Sequence, residues 1–316
     1  MDRRERYSGA MLGLAAGDAV GTTLEFRSPG TFTPIDDMVG GGPFHLRPGE
    51  WTDDTSMALC LAESLVECGG FDPADQMRRF VRWMREGHLS SNGSCFDIGN
   101  TVSGALERFE RTGDAYAGAT HPQSTAIGSM MRLAPVPLAF ARSPETAVEA
   151  AGESSRTTHA LPVCVDACRY LGGLIVGALD GTCKDDLLGA LYAPVPGLWA
   201  DRPLEPSIAA VASGSFRGKR ASEVRGTGYV VDSLEAALWA FDTGSSFREG
   251  CLLAANLGAD ADTTAAIYGQ LAGAHFGIGG EQGIPVGWIE RLARRELIED
   301  LADGLLELSE AGPAWR

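Results

Sequence analysis

The chain has 316 residues, of which 44% are hydrophobic and 22% are charged, and its formal net charge is −16. This length and composition suit a soluble protein with a sizeable core. The acidic balance disfavours general binding to nucleic acid or to an anionic membrane surface, because both depend on basic residues that meet phosphate.

The seven cysteines are an odd number and are scattered, mostly in apolar segments such as those around Cys60 and Cys251. They predict small core residues in a reducing compartment rather than a disulfide framework. The N-terminal apolar stretch is short and contains Asp18, which argues against a signal peptide, and no apolar run looks long enough to span a bilayer. We therefore expect a cytoplasmic protein without a membrane partner.

Helical spacing dominates the chain. The first helix contains MLGLAAGDAVG (11–21), whose small residues allow close helix packing. Further helices are predicted, in chain order, at residues 54–68, 74–86, 99–111, 128–141, 144–151, 160–179, 184–191, 232–241, 246–255, 262–275 and 288–308. Gly and Pro interrupt the helices at 29–49, 112–122 and 193–218, and the best strand pattern, at 226–232, is short. The sequence predicts one compact, all-α domain over residues 1–316.

Two acidic clusters stand at the start of predicted apolar helices. They consist of Thr52, Asp53 and Asp54 in GEWTDDTSMALCLAESL, and of Asp260, Asp262, Thr263 and Thr264 in NLGADADTTAAIYGQLAG. Asp and Thr are common N-cap residues, so one interpretation is that both clusters only cap helices. Capping needs one carboxylate, however, and neighbouring like charges raise the free energy unless something positive lies between them.

The second interpretation of these clusters is a cation site, since neither has a Lys or Arg immediately beside it. Carboxylate and hydroxyl oxygens without His or Cys favour hard ions such as Mg²⁺, Mn²⁺ or Ca²⁺. Neither cluster has the spacing of a helix–loop–helix calcium site. Together the clusters could hold two ions, which polarise a substrate oxygen and activate water. Spacing alone leaves both interpretations open.

Seven segments, in order along the chain, resemble the ADP-ribosylglycohydrolase family. They are GAMLGLAAGDAVGTTLEF (9–26), WTDDTSMAL (51–59), CFDIGNT (95–101), GSMMRLAPV (128–136), SSRTTH (154–159), GYVVDSLEAALWA (228–240) and NLGADADTTAAIYGQLAGAHFG (256–277). The resemblance implies an all-α fold of orthogonally packed helices with a dinuclear Mg²⁺ or Mn²⁺ site. It also implies hydrolysis of the bond between the ribose of ADP-ribose and an acceptor on a protein, a nucleic acid or a small molecule.

The same resemblance implies roles for individual residues. The metal ligands would be Thr52, Asp53, Asp54, Asp260, Asp262 and Thr263. The catalytic residues would be Glu25, in water activation, and Asp97, in contact with the acceptor. The substrate-binding residues would be Asn100, Gly128, Ser129, Met130, His159 and Tyr229.

Taken without the resemblance, several of these residues have a structural interpretation. Glu25 is typical of a solvated or ion-paired carboxylate, and Asp97 of a helix cap. His159 is more typical of a core or capping histidine than of a ligand contact. Arg132, close to Gly128, fits a structural ion pair as well as it fits a phosphate-binding segment.

Ile127 departs from the family pattern, which usually has Asn at this position before the glycine of the phosphate-binding segment. An apolar side chain cannot supply the contacts of an amide, although backbone N–H groups can still bind phosphate. Two alternatives therefore stand beside the hydrolase: a non-catalytic module that binds ADP-ribose or a related nucleotide, and a metal-dependent phosphoesterase. The sequence contains no HExxH, P-loop or GxSxG motif of other hydrolases.

Overall fold

The computed structural model describes residues 1–315 and consists mainly of helices. The fifteen α-helices in this range are α1 (Arg3–Gly21), α2 (Asp53–Cys68), α3 (Pro73–Glu86), α4 (Asn100–Thr112), α5 (Pro135–Ala139), α6 (Pro144–Arg156), α7 (Pro162–Leu179), α8 (Lys184–Leu187), α9 (Leu198–Asp201), α10 (Pro206–Ala212), α11 (Val230–Thr243), α12 (Phe247–Ala255), α13 (Ala261–Phe276), α14 (Val286–Arg291) and α15 (Arg295–Ala311). Two short strands, β1 (Gly70–Phe71) and β2 (Ala314–Trp315), form one parallel pair. The predicted all-α fold is confirmed.

Proline and tertiary contacts account for two wrong element predictions. The predicted helix over 128–141 is wrong in its first half: the segment before Pro135 forms turns, because a helix that continued into this proline would lose a backbone hydrogen bond. The predicted strand over 226–232 is also wrong, since α11 begins at Val230. Within residues 1–315, the predicted strand is represented by one isolated β-bridge, which joins Tyr229 to Ala126.

Other boundaries differ where local geometry ends a helix early. The helix predicted over 184–191 ends after one turn, at Leu187. The helix predicted over 288–308 is divided into α14 and α15 at Arg294, whose φ of 50° lies in the left-handed region. The segment 193–218, predicted to be a break, contains the short helices α9 and α10.

Helix α7 is almost entirely buried. Among residues 1–315 it is the one helix that is long and apolar enough to cross a membrane, with 18 residues and a mean hydropathy of 1.4, contrary to the expectation that no such run exists. Within the fold, 89% of it is buried, and it packs against α6 and α13. These contacts are those of a core helix.

Helices α1 and α13 contact each other through their backbones. Glycines recur every four residues along one face of α1, at Gly9, Gly13, Gly17 and Gly21. They face, in this order, Gly273, Gly269, Ala265 and Ala261, and a Cβ added to any of the four glycines of α1 would overlap a carbonyl oxygen of α13. The close packing predicted from the small residues is therefore present. Because the two helices are antiparallel, the end of α1 lies beside the start of α13.

Replacing one glycine of this contact will destabilise the protein. Gly13→Ala will lower the free energy of unfolding by about 1–3 kcal/mol, because the new methyl group overlaps the carbonyl oxygen of Gly269. In the control, Gly287→Ala in the exposed part of α14, the methyl group meets nothing within 4 Å and stability will stay the same or rise slightly. Urea unfolding measures the difference, and equal stability of the two variants would contradict a close contact of α1 with α13.

Candidate active site

A carboxylate from α1 holds the first turn of α2. Asp18 is fully buried, and its Oδ1 accepts hydrogen bonds from the backbone N–H and the hydroxyl of Thr52, at 2.9 and 3.0 Å. Its Oδ2 accepts the same pair from Thr55, at 3.0 and 2.6 Å. Four bonds occupy the lone-pair positions of a carboxylate. Asp18 therefore positions Thr52 and does not offer a free oxygen to a ligand.

The residues at the cap positions of α2 and α13 are not ordinary helix caps. Neither Thr52 nor Asp260 makes a side-chain capping hydrogen bond, so the capping interpretation of the sequence is wrong for both. Instead, the two clusters meet across the helix ends. The hydroxyl of Thr52 lies 3.3 Å from Asp262 Oδ2, and that of Thr263 lies 3.3 Å from Asp54 Oδ1.

Asp262 belongs to two groups of carboxylates at this junction. One oxygen each of Asp18, Asp54 and Asp262 lie within 4.8 Å of one another, and so do one oxygen each of Glu25, Asp97 and Asp262. All of these residues except Asp97 are buried. Because like charges repel at this separation, the arrangement requires protons or cations among the carboxylates.

Among residues 1–315, three carboxylate oxygens of these groups are buried without a hydrogen-bond partner: Glu25 Oε2, Asp54 Oδ2 and Asp262 Oδ1. Within residues 1–315, no Lys or Arg forms a salt bridge with any of the three side chains. Buried acceptors are almost always paired, so these atoms indicate a ligand. A set of carboxylate and hydroxyl oxygens fits a hard divalent cation. The residues present therefore fit a divalent metal site.

Burial raises the carboxyl pKa values throughout the cluster, because it disfavours the charged form. It raises the pKa of Glu25 to about 12 and that of Asp97 to about 7, with neighbouring carboxylates adding to the effect. The pKa values of Asp53, Asp54 and Asp262 also lie well above the ordinary range, for the same two reasons. Without a cation, much of the cluster is therefore protonated at neutral pH.

Three non-glycine residues beside the cluster have left-handed backbone: Phe26 (φ 59°), Asp97 (φ 60°) and Ala259 (φ 56°). The N–H of Phe26 donates to the carbonyl oxygen of Ala259, and the N–H of Ala259 donates to that of Arg27, both at 2.7 Å. These two bonds join the segment after α1 to the loop before α13. Such backbone is unfavourable for residues with a side chain and is concentrated at functional sites.

A cavity of about 300 Å³ adjoins the acidic cluster. The predicted site residues that line it are Glu25, Asp53, Asp97, Asn100, Gly128, His159, Asp260, Asp262 and Thr263. Thr52 and Asp54 are buried directly behind them, at the junction described above. The chain thus brings residues from distant segments of the sequence to one cavity.

Two predicted substrate-binding residues lie behind the cavity surface. Ser129 is buried, and its hydroxyl bonds to that of Ser155 at 2.8 Å; Ser155 in turn donates to the carbonyl oxygen of His159 at 2.8 Å. Met130 is fully buried in the core, and its neighbour Met131 lines the cavity instead. The side chain of Ser129 therefore supports the His159 backbone, and that of Met130 fills the core.

Tyr229 and Ile127 differ in their relation to the cavity. The side chain of Tyr229 is 39% exposed and does not line the cavity, although its backbone pairs with that of Ala126, which does. Ile127 is a lining residue, and its carbonyl oxygen accepts hydrogen bonds from two N–H groups of the turn that follows. The departure from the family pattern therefore adds apolar surface directly to the cavity.

Arg132 does not form the ion pair that was one interpretation of its place in the sequence. Its guanidinium is fully buried, lies 4.6 Å from the ring centre of Phe80 and has no carboxylate partner within residues 1–315. It donates to the carbonyl oxygen of Gly128 and to the hydroxyl of Thr158, both at 2.7 Å. Burial lowers its pKa to about 10, so it stays charged at neutral pH.

Asp18 and Phe26 are further residues of the site that the sequence motifs do not identify. The position of Asp18, alone in an apolar helical run, was a usable indication, because a buried charge needs partners. No spacing distinguishes Phe26 from a core aromatic residue, although its side chain is 69% exposed and lines the cavity.

The chain is similar to known proteins over nearly its whole length. A profile of the ADP-ribosylglycohydrolase family matches residues 1–314. Two proteins named ADP-ribosylarginine hydrolase Tri1 each match 96% of this chain. The protein from Serratia proteamaculans (strain 568) is 40% identical over 305 residues, and 80% of its length is covered. The protein from Pseudomonas putida (strain GB-1) is 44% identical over 303 residues, and 78% of its length is covered.

A solved structure shows the same fold. It is described as an ADP-ribosylglycohydrolase-related protein complex, and it matches this chain with a TM-score of 0.84 and 43% sequence identity. The match covers 98% of this chain and 99% of that one. The chain is therefore a glycohydrolase and belongs to the ADP-ribosylglycohydrolase family.

Proposed function

We propose that the chain removes ADP-ribose from arginine side chains of modified proteins, with two divalent cations, Mg²⁺ or Mn²⁺, at the acidic cluster. The proposal rests on the buried, unpartnered carboxylate oxygens of Glu25, Asp54 and Asp262 beside the cavity. Asp262 lies close to Asp54 on one side and to Glu25 and Asp97 on the other, which suits a ligand shared by two ions. Arginine is supported as the acceptor by the names of the two relatives that are 40% and 44% identical.

The reaction consumes one water molecule. The water oxygen forms a bond to the anomeric carbon of the ribose, and the bond from that carbon to the guanidinium nitrogen breaks. When bound, divalent cations polarise the ribose oxygens and the water in such a site. Glu25 Oε2 would accept a proton from the water in the ionised form of the carboxyl group, which bound cations would favour, and a proton is returned to the leaving nitrogen, which gives arginine and ADP-ribose. The Asp97 carboxylate accepts a hydrogen bond from the guanidinium.

The diphosphate is assigned to the part of the cavity formed by Gly128, His159 and the start of α4. Helix α4 begins at Asn100, and its cap residue Gly99 supplies no side-chain hydrogen bond to the first N–H groups. The N-terminus of a helix favours phosphate. In the described part of the chain, residues 1–315, His159 Nε2 is buried and has no hydrogen-bond partner, and His159 lines the same cavity. These groups provide hydrogen-bond donors in a protein whose net charge is strongly negative.

Family membership and the complete acidic cluster favour the hydrolase over a module that only binds ADP-ribose. They also favour cleavage of a glycosidic bond over that of a phosphoester. We further propose a cytoplasmic location. All seven cysteines are free thiols, which supports a reducing compartment.

The first prediction concerns activity. The protein will release ADP-ribose from an arginine-linked substrate in the presence of Mg²⁺ or Mn²⁺. Addition of a chelator will stop this release. Asp53→Ala and Asp262→Ala will each lower kcat/KM by at least about 100-fold, because a carboxylate of the proposed metal site is lost. The measurement is chromatographic assay of free ADP-ribose, with a serine-linked substrate run in parallel.

The control for both variants is Glu281→Ala, which removes an exposed carboxylate outside the cluster and should retain full activity. Release of ADP-ribose at an unchanged rate in chelator would contradict the role of the cations. Release from the serine-linked substrate alone would contradict arginine as the acceptor.

The second prediction concerns stability and pH. Burial raises the pKa of Asp18 to about 6 and that of Asp97 to about 7, so the folded protein binds more protons than the unfolded chain in this range. The melting temperature of the metal-free protein will therefore fall as the pH rises from about 5 to about 8. Mn²⁺ at one hundred times its Kd will raise it by about 5–10 °C.

The gain from Mn²⁺ will be larger at the higher pH, because cations compete with protons for the same oxygens. Differential scanning calorimetry at several pH values, with and without Mn²⁺, makes the comparison. If the melting temperature does not change on addition of Mn²⁺ at any pH, cation binding by the cluster is contradicted.

A further inference from the structure

The imidazole of His159 has different surroundings at its two nitrogens. The residue is fully buried, and its Nδ1 lies 2.8 Å from the hydroxyl oxygen of Thr158. Its Nε2 has no partner within residues 1–315, and the residue lines the cavity. A Cβ at Gly128 would lie 3.0 Å from His159 Cε1 and 2.9 Å from a methyl group of Val102, so the glycine leaves this edge of the ring uncovered. An unpaired nitrogen in such a place indicates a ligand.

Arg132 determines which way the hydroxyl of Thr158 points. The guanidinium has only donors, and Nη2 lies 2.7 Å from Thr158 Oγ1, so the hydroxyl oxygen accepts from it. The hydroxyl proton remains, and the other neighbour of Oγ1 is His159 Nδ1. Thr158 therefore donates to Nδ1, which must be the unprotonated nitrogen. The ring proton of neutral His159 is consequently on Nε2, beside the cavity.

The opposite tautomer, with the ring proton on Nδ1, leaves one more hydrogen-bonding group unpaired. If Nδ1–H donated to Thr158, the hydroxyl proton would have no acceptor, and Thr158 is fully buried. Nε2 would then present a lone pair to the cavity. A buried donor without a partner is rare in proteins, because it has lost its bonds to water. Hydrogen-bond geometry thus selects the Nε2–H tautomer before any ligand is present.

His159 also remains neutral over the physiological pH range. Burial lowers its pKa to about 3, and the nearby charge of Arg132 contributes to the shift. A neutral ring with its proton on Nε2 donates one hydrogen bond at any pH between about 5 and 9. Arg132 itself has no carboxylate partner in residues 1–315, so its positive charge favours an anion in the cavity.

We propose that Arg132 and Thr158 are positioning residues that hold His159 in the Nε2–H tautomer, so that His159 donates a hydrogen bond to a phosphate oxygen of the substrate. The identity of the ligand rests on the proposed function, whereas the tautomer does not. Arg132 has a double role here, since the same guanidinium holds the carbonyl oxygen of Gly128 at 2.7 Å. One buried cation therefore fixes two neighbouring parts of the diphosphate site.

Three variants separate this role from simple support of the fold. Thr158→Val removes the hydroxyl with little change of volume, and Thr158→Ser restores it. Thr157→Val is the matched control: Thr157 Oγ1 also accepts from Arg132, at 3.3 Å, but it donates to the carbonyl oxygen of Ser154 and not to His159. All three variants are tested as the full chain in Mg²⁺.

Two measurements follow. Nitrogen-15 NMR of histidine-labelled protein reports the tautomer of His159, which His159→Gln assigns among the five histidines. Calorimetry reports the Kd of ADP-ribose as a function of pH. We expect the Nε2–H tautomer in the wild type, in Thr158→Ser and in Thr157→Val. In Thr158→Val we expect a mixture of tautomers and an increase of about tenfold in Kd, because a hydrogen bond to a charged group is weakened.

Several results would overturn the proposal. A wild-type ring protonated on Nδ1 would show that Thr158 does not control it. A pure Nε2–H tautomer and an unchanged Kd in Thr158→Val would show that the Thr158 hydroxyl does not position His159 and that the side chain contributes only packing. If the wild type binds no ADP-ribose, the phosphate assignment and the proposed function fail together, while the tautomer in Thr158→Val still decides whether Thr158 positions the ring.

Discussion

The backbone contact between α1 and α13 sets the distances in the active site. Glycine at every fourth position of α1 lets the two helices approach until the chains touch. Because they are antiparallel, the carboxylate of Asp18 near the end of α1 comes beside Asp262 in the first turn of α13. Asp18 then holds the start of α2 through Thr52 and Thr55. A larger separation of α1 from α13 would move the two acidic clusters apart.

The site that results contains buried acidic and basic groups that lack partners of opposite charge. On one side, carboxylate oxygens of Glu25, Asp54 and Asp262 are buried without hydrogen-bond partners from residues 1–315. Behind Gly128 and His159, Arg132 is buried, and no carboxylate of the same residues pairs with it. Unpaired buried charge lowers stability, and it persists where a ligand completes it. An anionic substrate together with cations would supply both kinds of partner, as the proposed function requires.

Periodicity and residue chemistry were sufficient to predict the all-α fold, the close packing of α1 and both acidic clusters. They were insufficient wherever a tertiary contact decides the structure. Tyr229 and the valines after it have strand propensity, yet Val230 starts α11. Asp97 resembles a helix cap in the sequence, yet in the structure it has left-handed backbone and lies near Glu25 and Asp262. The bonds of Arg132 join segments far apart in the sequence, so spacing could not distinguish them from an ion pair.

The number of Mn²⁺ ions that the metal-free protein binds tests the proposed two-ion site most directly, and electron paramagnetic resonance of the free ion during titration measures it. We expect two ions per chain in the wild type and in the Glu281→Gln control. We expect weaker binding of both ions in Asp262→Asn, because this carboxylate belongs to both groups. Absence of Mn²⁺ binding in the wild type, or unchanged binding of two ions in Asp262→Asn, would rule out the proposed site.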